Sequence, residues 1–461
     1  MLFASNIYSA RRDRLSKAIA SGIIIIPGNE LAPKNYPSGC YPFRQDSSFR
    51  YLFGLNAPSL WGVIDADTDK HILFGAETTM EDIIWSGELP SLSARAASVG
   101  IEVSHHIDEL DIFISRALSL GRKIHILPPY RAETKIALAG LFKCQISELK
   151  KFHSQALIEA LALMREVKSE EEIAEMERAQ EIGYKMHTAA MKLCRAGRRE
   201  HEISGALTGI AHRYGAGLSF ETICSQDGQI LHNISQGGTL KDGRLVLVDA
   251  GAESLGGYAS DNTRTFPVSG RFSPLQRDIY NIVLAAHNNT KTIAQAGILY
   301  QNLHAACYRL LADGLRDLSL VCGSIDEIID SGAMKLFMPH GLSHGVGLDV
   351  HDCEAFGERS GVTTSSECCI NRKAWRLRNG SVISNEPGIY FIQPLIERSC
   401  REGLYKGIVD YARLSSLYNF GGVRIEDVLV ITDGGCYELG AKNPIPKSVE
   451  QIENFMQNRA L

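Results

Sequence analysis

The stretch 337-FMPHGLSHGVGLDVHD-352 decides how this chain is read. Three of the 14 histidines, His340, His344 and His351, fall within twelve positions of it, with glycines and small residues between them. On an extended strand, positions an even number apart share a face, so a strand here would point His340 and His344 the same way. His351 lies seven positions beyond His344 and needs a turn to return to that side, which Gly345 and Gly347 can supply. An HxxxH pair with a third histidine is typical of metal or proton-transfer chemistry. The bland alternative is three unrelated histidines around a glycine-rich loop, and residues elsewhere decide between the two.

Four acids supply that decision. Asp249 ends the apolar run Leu245-Val246-Leu247-Val248, Asp261 opens DNTRTF, Glu386 lies in NEPGIYF and Glu426 in GGVRIEDVLV. A carboxylate in or beside a β-prone apolar segment is costly to bury unless a cation or several donors meet it. One such acid usually means a salt bridge or a turn cap. Four of them together with His344 point to a shared site. Four carboxylates balance two divalent cations, and a pair of ions so held suits one bridging hydroxide. Two-metal sites hold their ions about 3.5–4 Å apart and lower the pKa of bridging water toward neutrality. Oxygen donors with one imidazole favour a hard ion such as Mn2+, with Zn2+, Co2+ and Fe2+ left open.

Around this cluster the chain is of ordinary globular composition. Its 461 residues are too many for one ordinary core, and 44% hydrophobic with 22% charged residues is unremarkable for a globular protein. A net charge of −5 and scattered basic residues give no sign of a nucleic-acid surface. No apolar run reaches the length of a membrane span. The opening MLFASNIYSARRDRL turns charged too early for a secretory signal. Eleven cysteines form no CxxC, and the adjacent pair Cys368 and Cys369 suits neither a disulfide framework nor a zinc knuckle. Reduced thiols in the cytoplasm are expected.

Residues 1–164 read as an α/β domain and 165–461 as a second, larger one. In the first, a helix is expected over Asn6–Ala20 and a buried strand within Gly22–Gly28. Further strands fit Leu60–Asp65, His71–Phe74 and Lys123–Leu127. The aromatic, basic segment 41-YPFRQDSSFRYLFGL-55 reads as an ordered surface loop leading into a packed strand. In the second domain, Ser169 and Glu172 form a capping box ahead of the stripe Ile173, Met176, Gly183, Met186, Ala190 and Leu193, which Gly197 is expected to close. A second helix fits Arg199–Tyr214, then strands at Leu218–Cys224, Leu245–Ala250 and Tyr258–Pro267. The order repeats. Ser273-Pro274-Leu275-Gln276 is another capping box, its helix closed by Gly297, with a further helix at Gln301–Leu315. Strands are expected at the histidine stretch, Ser381–Ile392 and Gly422–Ile431. Two helix–helix–strand–strand blocks suggest a pseudo-symmetric domain.

The pattern VDAG, DNTRTF, HGLSHGVGLDVHD, NEPGIYF and GVRIED resembles the pita-bread metallopeptidases, the superfamily of methionine aminopeptidase, prolidase and aminopeptidase P. The match spans about residues 165–440, and YPFRQDSSFRYLFGL and SPLQRDIYNIVL resemble the aminopeptidase P branch. The resemblance implies an α/β (α+β) chain, an N-terminal α/β domain followed by a pita-bread catalytic domain. It also implies a metal set. Asp261, His344 and Glu386 would hold one ion and Asp249 the other, while Glu426 bridges both. Glu386 would also carry protons, and His351 would bond the scissile carbonyl or the tetrahedral intermediate. His340 and His232 would line the substrate pocket, and Arg424 would orient a carboxylate. Two departures stand out: Asp261 is twelve residues beyond Asp249, where eleven is common, and Asn262 replaces an apolar residue. A turn residue or a bulge would absorb the first, and Asn262 would face away from the ligands. The segment between Tyr390 and Gly421 is longer than in compact members.

The implied activity is Xaa-Pro aminopeptidase, acting on proline-containing peptides with two divalent ions, Mn2+ expected. The alternatives are an Xaa-Pro dipeptidase, a creatinase-like hydrolase that needs no metal, and a non-catalytic pita-bread binding module. The complete ligand set argues against the last two. A homo-oligomer is expected, with neither nucleic acid nor membrane as partner.

Overall fold

The chain divides into two units, Met1–Met164 and Arg165–Leu461, in a computed structural model that describes residues 3–233, 235–354 and 375–458. Cys368 and Cys369 lie outside the described residues. No helix among those described is long and apolar enough to cross a membrane.

The first unit runs α1 (Ser5–Ile19), β1 (Ile23–Pro27), α2 (Ser47–Phe53), β2 (Trp61–Asp65), β3 (Lys70–Gly75), α3 (Met80–Ser86), α4 (Leu92–Ser98), β4 (Val103–His106), α5 (Glu109–Ser119), β5 (Ile124–Ile126), α6 (Ala132–Leu141) and most of α7 (Gln155–Glu166), whose last two residues belong to the second unit. Its sheet has the order β4-β3-β2-β1-β5, with β1 parallel to β5, β3 parallel to β4 and the other pairs antiparallel. Ile23, Ile24, Ile25 and Ile26 are all buried because β1 lies inside the sheet with both faces covered. The expected loop at 41–55 is in part a helix. Asp46 accepts from the Phe49 N–H and starts α2, whose Phe49 and Phe53 stack one turn apart. Strand β4 is a short edge strand, Val-Ser-His-His, with no buried residue and so no apolar run to mark it in the sequence.

In the second unit both capping boxes close: Ser169 with Glu172 before α8 (Glu170–Leu193), Ser273 with Gln276 before α10 (Pro274–Ile293). Neither glycine ends its helix. Cys194 and Ala294 leave the helices in extended conformation, and Gly197 and Gly297 serve the turns beyond, at φ 84° and 90°. Those turns lead to α9 (Glu200–Tyr214) and α11 (Tyr300–Asp317). Each makes the same bonds. Gly197 N donates to Leu240 O and Leu240 N to Arg198 O, while Gly297 N donates to Leu377 O and Leu377 N to Ile298 O. The pseudo-symmetry is thus built into the hydrogen bonding.

After α9 come β6 (Gly217–Leu218), β7 (Ile223–Ser225), β8 (Leu245–Ala250), β9 (Ala252–Glu253) and β10 (Asn262–Pro267). Leu218–Cys224 is therefore not one strand, and the run expected from Tyr258 begins at Asn262. After α11 come α12 (Ile325–Asp330), β11 (Val382–Asn385), β12 (Gly388–Tyr390), α13 (Gln393–Arg401), α14 (Tyr411–Ser415), β13 (Gly422–Arg424), β14 (Asp427–Thr432), β15 (Gly435–Glu438) and α15 (Val449–Gln457). Glu386 and Pro387 break the expected Ser381–Ile392 strand in two, since proline has no N–H for the ladder.

Four junctions position the site. Strands β8 and β10 pair with Ala250 opposite Asn262, and the register continues unbroken to the Glu253–Ala259 bridge. The residue beyond the common spacing is therefore taken up by the turn 254–258 and not by a bulge. Gly251 stands opposite Asp261, where a Cβ would run into the Ser260 carbonyl. Thr263 and Glu426 exchange backbone bonds and tie the end of β10 to β14. Strand β14 pairs with β11. Contrary to expectation the histidine stretch is no strand; it makes one bridge, Gly345 to Ile383, and otherwise follows β11 through Val346 N to Val382 O, Ser384 N to His344 O and Glu386 N to Leu342 O.

Candidate active site and metal centre

All four acids and His344 come from the ends of these paired segments. His344 is the hub. Its Nε2 lies 3.4 Å from Asp261 Oδ2, 3.5 Å from Glu386 Oε1 and 4.0 Å from Glu426 Oε1. Ligand atoms of Asp261, His344 and Glu426 all fall within 4.8 Å of one another, and all three residues are buried. His344 Nδ1 lies 3.0 Å from Gly345 O. A proton on Nδ1 satisfies that carbonyl and leaves the Nε2 lone pair facing the carboxylates. His344 N donates to Ser384 Oγ, which donates in turn to Glu386 Oε1.

Strand alternation sorts the neighbouring residues by face. On the site side, Thr263 Oγ1 donates to Glu426 Oε2 at 2.8 Å and accepts from Arg424 Nε at 3.1 Å. On the far side, Arg264, Lys447 and His287 surround Asp427, and Asn262 Nδ2 also points to Asp427. Burial opposes ionisation of Asp427, but Arg264 and Lys447 outweigh it and hold its pKa well below the usual carboxylate range. Asn262 thus faces away from the acids, as expected.

Arg424 reaches three acceptors: Asp249 Oδ2 at 2.6 Å, the Tyr390 hydroxyl at 3.0 Å and Thr263 Oγ1. The Tyr390 hydroxyl also lies 2.7 Å from His340 Nε2. Accepting from Arg424 leaves that hydroxyl to donate to His340, whose Nδ1–H then faces Gly341 O at 2.7 Å and Glu386 Oε2 at 3.5 Å. His351 is exposed, with its ring centroid 4.0 Å from that of His344. His232 lies in an exposed turn, near enough for its charge to help lower the pKa of His340.

Sequence reasoning missed Thr263, Tyr390 and Ser384. Period-two spacing was the available signal, since Thr263 is two residues past Asp261 and Ser384 two before Glu386.

The electrostatics call for cations. Burial pushes Glu386 up to about 7; His344 and Arg424 draw it down, and Asp261 and Asp249 push it further up. Burial likewise raises Asp249 to about 6 against the pull of Arg424, and lifts Glu426 well above the usual range. Burial would lower His344, but Asp261 and Glu386 more than reverse that and raise it to about 9. His340 goes the other way, to about 3, through burial and the Arg424 charge. Asp249 Oδ1 is buried with no hydrogen-bond partner among the described residues. Protons stand in here for missing positive charge, so the donor set fits divalent ions.

Comparison with known proteins agrees with this chemistry. The pattern of Metallopeptidase family M24 matches residues 174–433, and that of the aminopeptidase P N-terminal domain matches residues 8–126. The Xaa-Pro aminopeptidase of Escherichia coli strain K12 is 33% identical over 433 residues, 90% of this chain and 89% of that one. The Xaa-Pro dipeptidase of Homo sapiens is 28% identical over 458 residues, 96% and 91% of the two chains. Zn-substituted E. coli aminopeptidase P in complex with product superposes with a TM-score of 0.83 at 28% identity, covering 100% of both chains.

Proposed function

This chain belongs to metallopeptidase family M24 and carries the N-terminal domain of aminopeptidase P; we propose that it is an Xaa-Pro aminopeptidase, releasing the first residue of peptides with proline second. The observation that carries this reading is the convergence of Asp261, Glu386 and Glu426 on His344 Nε2, with Asp249 held beside them by Arg424.

The enzyme is a metallo-aminopeptidase. On our reading it takes two divalent ions, with Mn2+ favoured by an oxygen-rich donor set. Asp261, His344 and Glu386 would hold one, Asp249 the other, and Glu426 both. Bound there, the ions supply Lewis acidity toward the scissile carbonyl and a water acidified toward neutral pH. Glu386 would take a proton from the attacking water and return it to the leaving proline nitrogen. His351 hydrogen-bonds the developing oxyanion from the exposed side, and His340 and His232 line the pocket. Arg424 holds Asp249 and Tyr390 in place, and Tyr390 in turn fixes the His340 ring. A dedicated pocket suits proline, which lacks the N–H that general peptidases grip and restricts the residue before it.

The same reading takes the enzyme as a cytoplasmic homo-oligomer. No disulfide joins the nine cysteines among the described residues, which suits a reducing compartment. Release of the first residue from Xaa-Pro peptides should depend on added divalent metal. Activity that survives complete chelation overturns the proposal.

A further inference from the structure

The histidine stretch has two edges, and β11 serves only one. On that edge His344 N is bonded by Ser384 Oγ, and the carbonyls of His344 and Leu342 accept from Ser384 N and Glu386 N. On the other edge lies helix α11, with Tyr300, His304 and Tyr308 one turn apart along one face. Their rings follow one another in a column, stacked for Tyr300–His304 with centroids 6.1 Å apart and tilted by 51° for His304–Tyr308 at 4.2 Å. Trp375 extends the column, its ring 5.8 Å from that of Tyr300 and its Nε1 donating to Glu166 Oε1 at 2.9 Å.

Two phenols from this column grip the backbone on either side of His340. The Tyr300 hydroxyl accepts from Leu342 N at 2.9 Å and from Ser343 N at 3.3 Å. The Tyr308 hydroxyl donates to Met338 O at 2.8 Å. Leu342, Ser343 and Met338 are buried, so no water replaces these partners without the segment moving. Gly341 lies between the two grips and gives the segment little stiffness of its own.

We propose that Tyr300, supported by Tyr308, is a positioning residue of this enzyme, setting where His340 and His344 stand by holding the backbone between them. This rests on the reading of the histidine cluster as the catalytic site. Tyr300 acts through the amides of Leu342 and Ser343, which lie between His340 and His344. The Tyr300 ring is 94% buried and packed against Trp375, so Tyr300→Phe keeps the packing and removes only the oxygen.

The test is Tyr300→Phe as a full chain, read in two ways. In the metal-free protein, amide exchange in a peptide covering 337–346 should quicken about tenfold or more while α11 keeps its protection. In the Mn2+-loaded protein acting on an Ala-Pro-Ala peptide, kcat should fall about tenfold or more with KM within about threefold. Tm should stay within about 2 °C, since the ring packing is unchanged. Tyr308→Phe should show the same exchange effect more weakly. Unchanged exchange together with unchanged kcat overturns the proposal. A Tyr300→Phe chain that fails to fold overturns it as well, because the phenol then holds the fold and not the site. If the unmodified enzyme cleaves no Xaa-Pro peptide, the reading of function fails, and the exchange rates still decide whether Tyr300 holds the segment.

Discussion

Arg424 Nη2 lies 2.6 Å from Asp249 Oδ2, and the same guanidinium spans Tyr390 and Thr263, so one side chain joins both halves of the acid cluster. Lysine in its place keeps the charge but cannot reach three acceptors in a plane. Arg424→Lys should therefore lower kcat/KM about thirtyfold, roughly 2 kcal/mol in the transition state. Steady-state kinetics at saturating Mn2+ measures this. A change below about threefold would show that charge alone is needed.

The ligand assignments make a graded prediction. Asp261→Ala and Glu426→Ala should lose both metal and activity, measured by mass spectrometry of bound metal and by peptide hydrolysis. His351→Ala should retain the metal and lose about a hundredfold in kcat, because it acts on the transition state. Glu386→Gln keeps an oxygen donor but cannot carry a proton, so it should bind peptide and turn over very slowly. Metal loss in His351→Ala as complete as in Asp261→Ala would refute the division of roles, and near-normal turnover by Glu386→Gln would refute its part as base.

Metal uptake should release protons in a pH-dependent way. In the metal-free chain Asp249 and Glu386 titrate at about 6 and 7, and His344 at about 9. All three are raised, so each holds its proton below its folded pKa and must give it up to a cation. At pH 6 all three contribute, whereas at pH 8 Asp249 and Glu386 have already given theirs up. Titration calorimetry with MnCl2 in buffers of different ionisation enthalpy should find more protons released at pH 6 than at pH 8. The metal-free chain should also lose stability as pH rises through 6 and 7, since groups with raised folded pKa values stabilise it only while protonated. Equal release at both pH values would mean that these groups titrate elsewhere.

Substrate length separates the aminopeptidase from the dipeptidase. A dipeptidase must clamp the carboxylate that follows proline, commonly with a cation. In the segment between Tyr390 and Gly421, Arg398, Arg401, Lys406 and Arg413 are all exposed, and Arg398 is engaged by Glu402. That segment forms α13 and α14. We expect kcat/KM for Xaa-Pro-Xaa tripeptides no lower than for Xaa-Pro dipeptides at equal metal loading. A preference of about a hundredfold for dipeptides, roughly 2.7 kcal/mol, would make the enzyme a prolidase and those four residues the first to mutate.

What the sequence by itself determined is what short-range physics controls. The capping boxes at Ser169 and Ser273 are complete within four residues, and the strand Ile23–Ile26 is specified by its own apolarity. The acids were legible because a carboxylate beside an apolar run is conspicuous wherever the run folds. Helix α2 was not read, although Asp46 caps it locally, because its aromatic residues disguised it as a strand approach.

Tertiary structure decided the rest. The histidine stretch carries strand-like spacing yet forms no strand, because Leu342 N and Ser343 N bond to Tyr300 and His344 N to the Ser384 hydroxyl. Thr263 and Tyr390 look like ordinary strand residues until Arg424 is brought between them. A sequence states which groups can donate and accept. When the partner lies 40 or more positions away, as Ser384 does from His344, only the folded chain determines which pairs meet.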